Sequence, residues 1–367
     1  MMKLALLYTD VFAGGGYPRD VRWLAGALSR AGVDVTMFGR LDFPRRSDGL
    51  QEAIGIRSWR SLPFYSKRFD LIHVFGLFSM IHPLLAIACE SRGVPLVISP
   101  FAQLLPLHMA VKPRKKELFI RTAWMPWIGR ASTFHVFSQL EADSVRKWLP
   151  DARVFEGTLG IFPVANGCGV PDESPDRGSA RNLLFFGRND VHHKGLDVLL
   201  EGYAHTVKLL GNRSPGSVKL TIAGQPWNGS AAFLAGSLRR LGIEHAVTIV
   251  GEVNELTKSH LLAKADYLIF LSRWDGPPRP IREAIDMGTP VVVTPESNMG
   301  ELVEKFGAGL QVGLKAEEVA QGILRTVLDS SLLERCRRGV EQLKGHLAWD
   351  RVAKDYIKGY EEAVCQR

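Results

Sequence analysis

Four side chains in the second half of the sequence have the types and spacing to handle a charged, hydroxyl-bearing ligand. Arg188 and Lys194 stand six residues apart in the run FFGRNDVHHKGLDVLL. A guanidinium engages two oxygens at once and an ammonium acts as a compact point charge, so the pair suits a diphosphate. Asp275 and Glu283 stand eight residues apart in SRWDGPPRPIREAIDMGTPVVVTP. The first ends a strand and loop; the second lies in the opening turns of a helix that Gly288 closes. The loop aims one carboxylate into a binding cleft, and the helix aims the other at a polyol such as ribose. Each pair taken alone also fits a solvated surface, and an acid so placed can cap a helix. A weaker feature is Gly14-Gly15-Gly16, between a strand and a helix, where backbone N–H groups and the helix dipole either hold an anion or make a plain tight turn.

These residues need a frame that brings strand ends together. Short apolar runs at 3–8, 33–38, 70–75, 95–99, 133–138 and 153–155 alternate with helical periodicity, which predicts a parallel sheet. From about 163 to 182 the pattern lapses into Gly167, Gly169, Pro171, Ser174, Pro175 and Gly178, the composition of a linker. Alternation then restarts, with strands expected at 182–187, 218–223, 247–250, 267–271 and 290–294. The expected organisation is a first domain at 1–165, a linker at 166–181, a second domain at 182–345 and a last helix at 346–367. Doubly wound sheets bind ligands at the carboxyl ends of their strands, so two facing sheets would place a cleft between the domains.

Composition narrows the class. A chain of 367 residues fits two domains of ordinary size, and 46% hydrophobic with 23% charged residues excludes a largely disordered chain. No apolar run approaches the roughly 18 residues of a membrane span. The apolar segment at 4–8 is cut off by Asp10, unlike a signal peptide, so a cytoplasmic location is expected, with association at the inner face of the membrane as an extension. Cys89, Cys168, Cys336 and Cys365 are far apart without a CxxC pair, against both a disulfide framework and a zinc site. His192-His193 lacks partner ligands at metal spacing and reads as a loop feature.

Charge is unevenly placed. Residues 1–165 hold 21 Lys and Arg against 13 Asp and Glu, whereas residues 166–367 hold 25 of each. The whole +8 excess lies in the first half, which reads either as a face toward an anionic partner or as a solvated basic surface. Lys112, Arg114, Lys115, Lys116, Arg121 and Arg130 are interleaved with Leu118, Phe119, Ile120, Trp124, Met125 and Trp127. That segment reads either as contact with an anionic membrane or as a core-facing tryptophan stripe under a basic face.

The sequence resembles the large group of retaining glycosyltransferases of the GT-B fold, whose motif is two acids separated by seven residues and followed by EAMAxGxPVV. Asp275 and Glu283 have that spacing, and residues 283–292, EAIDMGTPVV, match the tail. The likeness extends over nearly the whole chain: the glycine turn, DLIHVFG from Asp70, VPLVISP from Val94, GR…KGLDVLL from Gly187, and a last helix containing Trp349 and Tyr360. It implies that Arg188 and Lys194 bind the diphosphate of a nucleotide-sugar donor, Glu283 the ribose, and Asp275 the transferred sugar near its anomeric carbon. It places Gly15 and Gly16 by the phosphates, and Gly14, His73 and Phe101 near the acceptor or sugar. Gly251, Glu252 and Val253 would line the base, no metal or other cofactor is needed, and the last helix crosses back onto an acceptor-binding first domain. Three departures are specific. Phe75 and Phe101 stand where relatives carry imidazoles, Asp275 is shorter than the usual Glu, and Pro277 and Pro278 lack N–H donors.

The expected activity is therefore transfer of a hexose-type sugar to an acceptor hydroxyl, in polysaccharide or glycoconjugate assembly. A lipid-linked or otherwise anionic acceptor would account for the basic first domain, and no nucleic-acid partner is expected. Two alternatives remain: a nucleotide-sugar-binding subunit without transfer activity, motivated by the missing imidazoles, and a nucleotide-sugar epimerase.

Overall fold

The computed structural model describes residues 1–8, 16–39, 55–162, 180–211 and 217–365. They form two compact units, Met1–Gly160 with Leu347–Arg367, and Ile161–His346. The linker expected at 166–181 falls almost wholly outside the described residues.

The first unit is built on seven strands: β1 (Lys3–Leu7), β2 (Asp34–Gly39), β3 (Gly55–Ser58), β4 (Leu71–Phe75), β5 (Leu96–Ser99), β6 (Ser132–Val136) and β7 (Arg153–Glu156). Their order is β3-β2-β1-β4-β5-β6-β7, and every neighbouring pair is parallel. A parallel sheet covered by helices on both faces asks for continuous apolar strands, and β4, LIHVF, is buried at all five positions. Ile72, Val74, Leu96, Ile98, Phe134 and Val136 pack in one core with Leu85 and Cys89 of helix Ile81–Arg92 and with Ile120, Trp124 and Ile128.

That core divides the tryptophan segment. Trp124 is fully buried with its ring 5.5 Å from Phe134, whereas Trp127 is 44% and Leu118 64% exposed. The carboxyl-terminal helix Trp349–Cys365 belongs to this unit. It buries Trp349, Val352, Ala353, Tyr356, Tyr360 and Ala363, one stripe at helical spacing. Trp349 stacks on Trp23 of helix Gly16–Arg30 with centroids 6.3 Å apart.

The second unit has six strands: β8 (Arg181–Phe186), β9 (Val218–Ala223), β10 (Val247–Val250), β11 (Tyr267–Phe270), β12 (Val291–Val293) and β13 (Gly309–Gln311). All pairs are parallel, in the order β10-β9-β8-β11-β12-β13. From β8 the chain winds outward one way through β9 and β10, then returns to the other side at β11. The winding therefore reverses between β8 and β11, and at such a switch point the connecting loops part and leave a crevice at the carboxyl ends of the strands.

Candidate functional site

The loops that leave β8 and β11 carry three of the four residues singled out by spacing. After β8 the chain turns at Gly187, presents Arg188 and Lys194, and enters helix Leu196–Leu210 through Gly195. Gly195 has φ of +64°, and a Cβ there would lie 2.1 Å from the carbonyl oxygen of Leu271. Only glycine allows this approach, which sets the start of the Lys194 helix directly against the end of β11. Gly224 after β9 is equally constrained: its φ is +143° and a Cβ would lie 1.7 Å from the carbonyl of Gly187.

The approach brings the Lys194 ammonium into direct contact with Oδ2 of Asp275. Both side chains are 11% exposed. The Ser272 hydroxyl donates to the same carboxylate oxygen at 2.7 Å. The backbone of Asp275 is fixed too, its N–H donating to Glu296 at 2.9 Å and its carbonyl accepting from the Asn298 amide at 2.6 Å. His193 lies against the pair, stacked on Trp274 with ring centroids 4.6 Å apart and Nε2 donating to the Trp274 carbonyl at 2.6 Å. Burial lowers the His193 pKa although Asp275 pulls it upward.

Arg188 is held more loosely, with its side chain 41% exposed. Its guanidinium sits 4.5 Å over the Trp227 ring and 3.7 Å from Asp190. Gly251 and Val253 follow β10 on the same edge, where the Gly251 carbonyl accepts from the Gly224 N–H at 2.8 Å.

Glu283 lies in helix Arg279–Asp286 and is 6% exposed. Its Oε1 is 2.8 Å from the Lys258 ammonium and 2.8 Å from Nε of Arg279. Neither partner was singled out from the sequence, although one could have been. Arg279 is four residues before Glu283, a helix-pair spacing, but Lys258 comes from helix Glu255–Lys264 and meets Glu283 only through the fold. Among the described residues no group of three or more His, Cys, Asp or Glu is arranged to hold a metal ion.

The residues placed near the acceptor lie in the first unit. Gly14 and Gly15 fall outside the described residues, and Gly16 opens helix Gly16–Arg30. His73, expected near the acceptor or sugar, lies within β4. Its ring is fully buried, with Nδ1 paired to the Tyr360 hydroxyl and Nε2 to the Ser99 hydroxyl, each at 2.7 Å, and Ser99 pairs onward with His135 at 2.7 Å. Burial holds both imidazoles neutral, His73 well below its ordinary pKa and His135 down to about 3. His73 thus ties β4 to β5 and the carboxyl-terminal helix.

Phe101 is part of an aromatic wall with Tyr17, Phe75 and Phe137, at centroid distances of 4.7, 5.6 and 5.2 Å. Phe101 and Ala102 have φ of +54° and +60°, a left-handed turn that costs non-glycine residues about 1 kcal/mol or more each. A buried carboxylate holds the turn. Glu141 accepts from the Ala102 N–H at 2.6 Å and from the Phe137 N–H at 2.9 Å.

Residues 180–329 match the family described as glycosyl transferases group 1. An uncharacterized glycosyltransferase of Methanocaldococcus jannaschii is 27% identical over 184 residues, which are 50% of this chain and 45% of that protein. The matched region thus spans less than half of that relative's length. The GDP-mannose:cellobiosyl-diphosphopolyprenol alpha-mannosyltransferase of Xanthomonas campestris is 22% identical over 299 residues, 80% of this chain and 74% of that protein. Among solved structures, HepE of Anabaena in complex with UDP is similar over 99% of this chain and 100% of its own, with a TM-score of 0.72 at 16% identity. That likeness shows the fold, GT-B, with a parallel sheet in each of its two units.

Burial raises the Glu141 carboxyl to about 7, against the lowering effect of its two backbone donors. A carboxyl with a folded pKa above its ordinary 4.5 favours the folded state below that value and loses its contribution as pH rises through about 7. The neutral buried imidazoles act in the opposite sense, so a comparison with Glu141→Gln isolates the effect. Urea unfolding of both proteins at pH 5 and pH 8 is expected to show wild type losing up to about 3 kcal/mol relative to the variant. Parallel pH dependences would show that Glu141 does not titrate in this range.

Proposed function

We propose that this chain, a member of the glycosyl transferases group 1 family, moves a hexose-type sugar from a nucleotide diphosphate donor to an acceptor hydroxyl. The transfer retains configuration at the anomeric carbon and serves polysaccharide or glycoconjugate assembly. The observation that carries this reading is the direct contact of Lys194 with Asp275 at the switch point of the second sheet, inside the segment that matches the family. The neighbour solved with UDP and the relative named for GDP-mannose support a nucleoside diphosphate sugar as donor.

The chemistry follows from charge. As the bond from the anomeric carbon to the donor phosphate breaks, negative charge grows on the diphosphate and positive charge on the sugar ring. Lys194 passes from Asp275 to the phosphate oxygens and Arg188 joins it, while the released Asp275 carboxylate faces the sugar and steadies its oxocarbenium character. The acceptor oxygen bonds to the anomeric carbon on the face the phosphate leaves, and its proton goes to the departing phosphate oxygen. Glu283 receives the ribose hydroxyls, and Gly251 and Val253 border the base. Two cations take up the developing charge, so the reading assigns no metal or other cofactor. The aromatic wall at Phe75 and Phe101 favours one competing reading, a donor-binding subunit that does not transfer.

Incubation with nucleotide sugars, alkyl glycosides and polyprenyl-diphosphate-linked sugars tests the assignment, with product configuration read by NMR. The wild type is expected to give a product of unchanged anomeric configuration, and Lys194→Ala to lose about 100-fold or more in turnover, typical of losing one transition-state charge partner. An inverted product contradicts retention, full turnover in Lys194→Ala contradicts the site, and tight donor binding without product identifies a binding subunit.

For the acceptor side, the reading places the first unit on an anionic membrane surface, taking a lipid-linked acceptor. Lys112, Arg114, Lys115 and Arg121 are exposed beside the exposed Val111, Leu118 and Trp127. Each such cation near an anionic surface contributes about 1 kcal/mol, and salt screens it. Co-sedimentation is expected with phosphatidylglycerol-containing vesicles at low salt, falling at high salt. Equal, negligible pelleting with anionic and neutral vesicles at low salt would remove the membrane and leave a soluble anionic acceptor.

A further inference from the structure

We infer that Lys258 is a positioning residue of the donor site: it holds one oxygen of Glu283 by a hydrogen bond and so turns the other toward the donor's ribose. The inference rests on the reading of Glu283 as the ribose-binding acid.

Lys258 is only 7% exposed, and taking an ammonium out of water costs several kcal/mol. An apolar side chain would fill that position at lower cost to folding. Charge balance at Glu283 does not require the lysine, because Arg279 already pairs with the carboxylate from the same helix. What Lys258 adds is direction. Each carboxylate oxygen has about two acceptor positions; Oε1 accepts from the Lys258 ammonium at 2.8 Å, whereas Nε of Arg279, also 2.8 Å away, pairs by charge without a hydrogen bond. The carboxylate cannot rotate about its terminal bond without losing the Lys258 hydrogen bond, so Oε1 is held toward the lysine. Oε2 keeps its two positions, matched to two adjacent ribose hydroxyls.

The ammonium is itself held in place. Asn254 caps helix Glu255–Lys264 by accepting from the Thr257 N–H at 2.8 Å, and Lys258 also contacts Glu255 at 2.5 Å. Glu255 is 77% exposed, so the buried partner Glu283 is the stronger one. The same ammonium lies 5.9 Å from the ring centre of Phe186, the last residue of β8 before the turn that launches Arg188. The lysine thus stands at the junction of the ribose and diphosphate positions.

A merely structural lysine would change stability without changing what the site reads, so the decisive quantity is discrimination between ribose and deoxyribose. Calorimetric titration with UDP, GDP and ADP and their 2′-deoxy counterparts, on the full chain, measures it. The wild type is expected to prefer its best ribonucleotide over the deoxy form by about tenfold or more, the value of one hydrogen bond to a charged group. Lys258→Met is expected to bring that ratio close to one, with Glu283 still neutralised by Arg279, and Lys258→Arg to restore most of it. An unchanged ratio in Lys258→Met overturns the inference. Should that variant fail to fold, Lys258→Gln serves instead, with a reduced ratio expected and a wild-type ratio overturning the proposal. Failure of the underlying reading looks different: the wild type then binds none of the nucleotides, or Glu283→Gln keeps the full preference for ribose.

Discussion

The contact between the Lys194 ammonium and the Asp275 carboxylate is the constraint around which the second unit's loops are arranged. Two ions withdrawn from water cost more than their attraction returns unless geometry is close and the remaining polar positions are filled. The fold meets both conditions. Ser272 fills a further position on the carboxylate, and Glu296 and Asn298 hold the Asp275 backbone from the far side. The sheet order makes β8 and β11 neighbours, and Gly195 lets the loop after one strand press on the end of the other. A side chain at 195, or a different strand order, would separate the two charges.

The same winding serves different chemistry in the two units. The carboxyl edge of the second sheet gathers ions: Arg188, Lys194, Asp275, Glu283, Lys258 and Arg279. The corresponding edge of the first is aromatic, with Phe75, Phe101 and Phe137 shaped by a strained turn that a buried Glu141 holds in place. Its buried polar groups, His73, Ser99 and His135, are spent on one another and on Tyr360. A charged edge suits a diphosphate and an aromatic edge does not. That contrast supports assigning the donor phosphates to the second unit.

Much of the frame was legible because parallel strands covered on both faces must be apolar throughout, as in β4 and β12. The edge strands β3 and β13 were missed: GIRS and GLQ are short, carry polar residues, and are defined by pairing with β2 and β12 rather than by their own pattern. Arg188, Lys194 and Asp275 could be found because charged residues directly after apolar strands are conspicuous. Lys258, Ser272, Asn298 and Trp227 could not, since each matters only through a neighbour that the sheet order supplies. The partners of His73 were hidden for a related reason. A histidine at an inward-facing strand position looks the same in sequence whether it faces a ligand or a tyrosine from the last helix. Helical spacing likewise could not separate the buried Trp124 from the exposed Trp127.

The central claim is that Lys194 exchanges Asp275 for the donor's phosphates, and opposite responses of two substitutions test it most directly. Calorimetric titration of UDP, GDP and ADP, which carry the diphosphate without the sugar, is made on wild type, Lys194→Ala and Asp275→Ala. Removing the lysine is expected to weaken the best nucleotide by at least about tenfold, as for a lost charged hydrogen bond. Removing the aspartate frees the lysine and is expected to leave binding as tight as wild type or tighter. Equal weakening by both substitutions, or no effect of losing the lysine, would contradict the exchange.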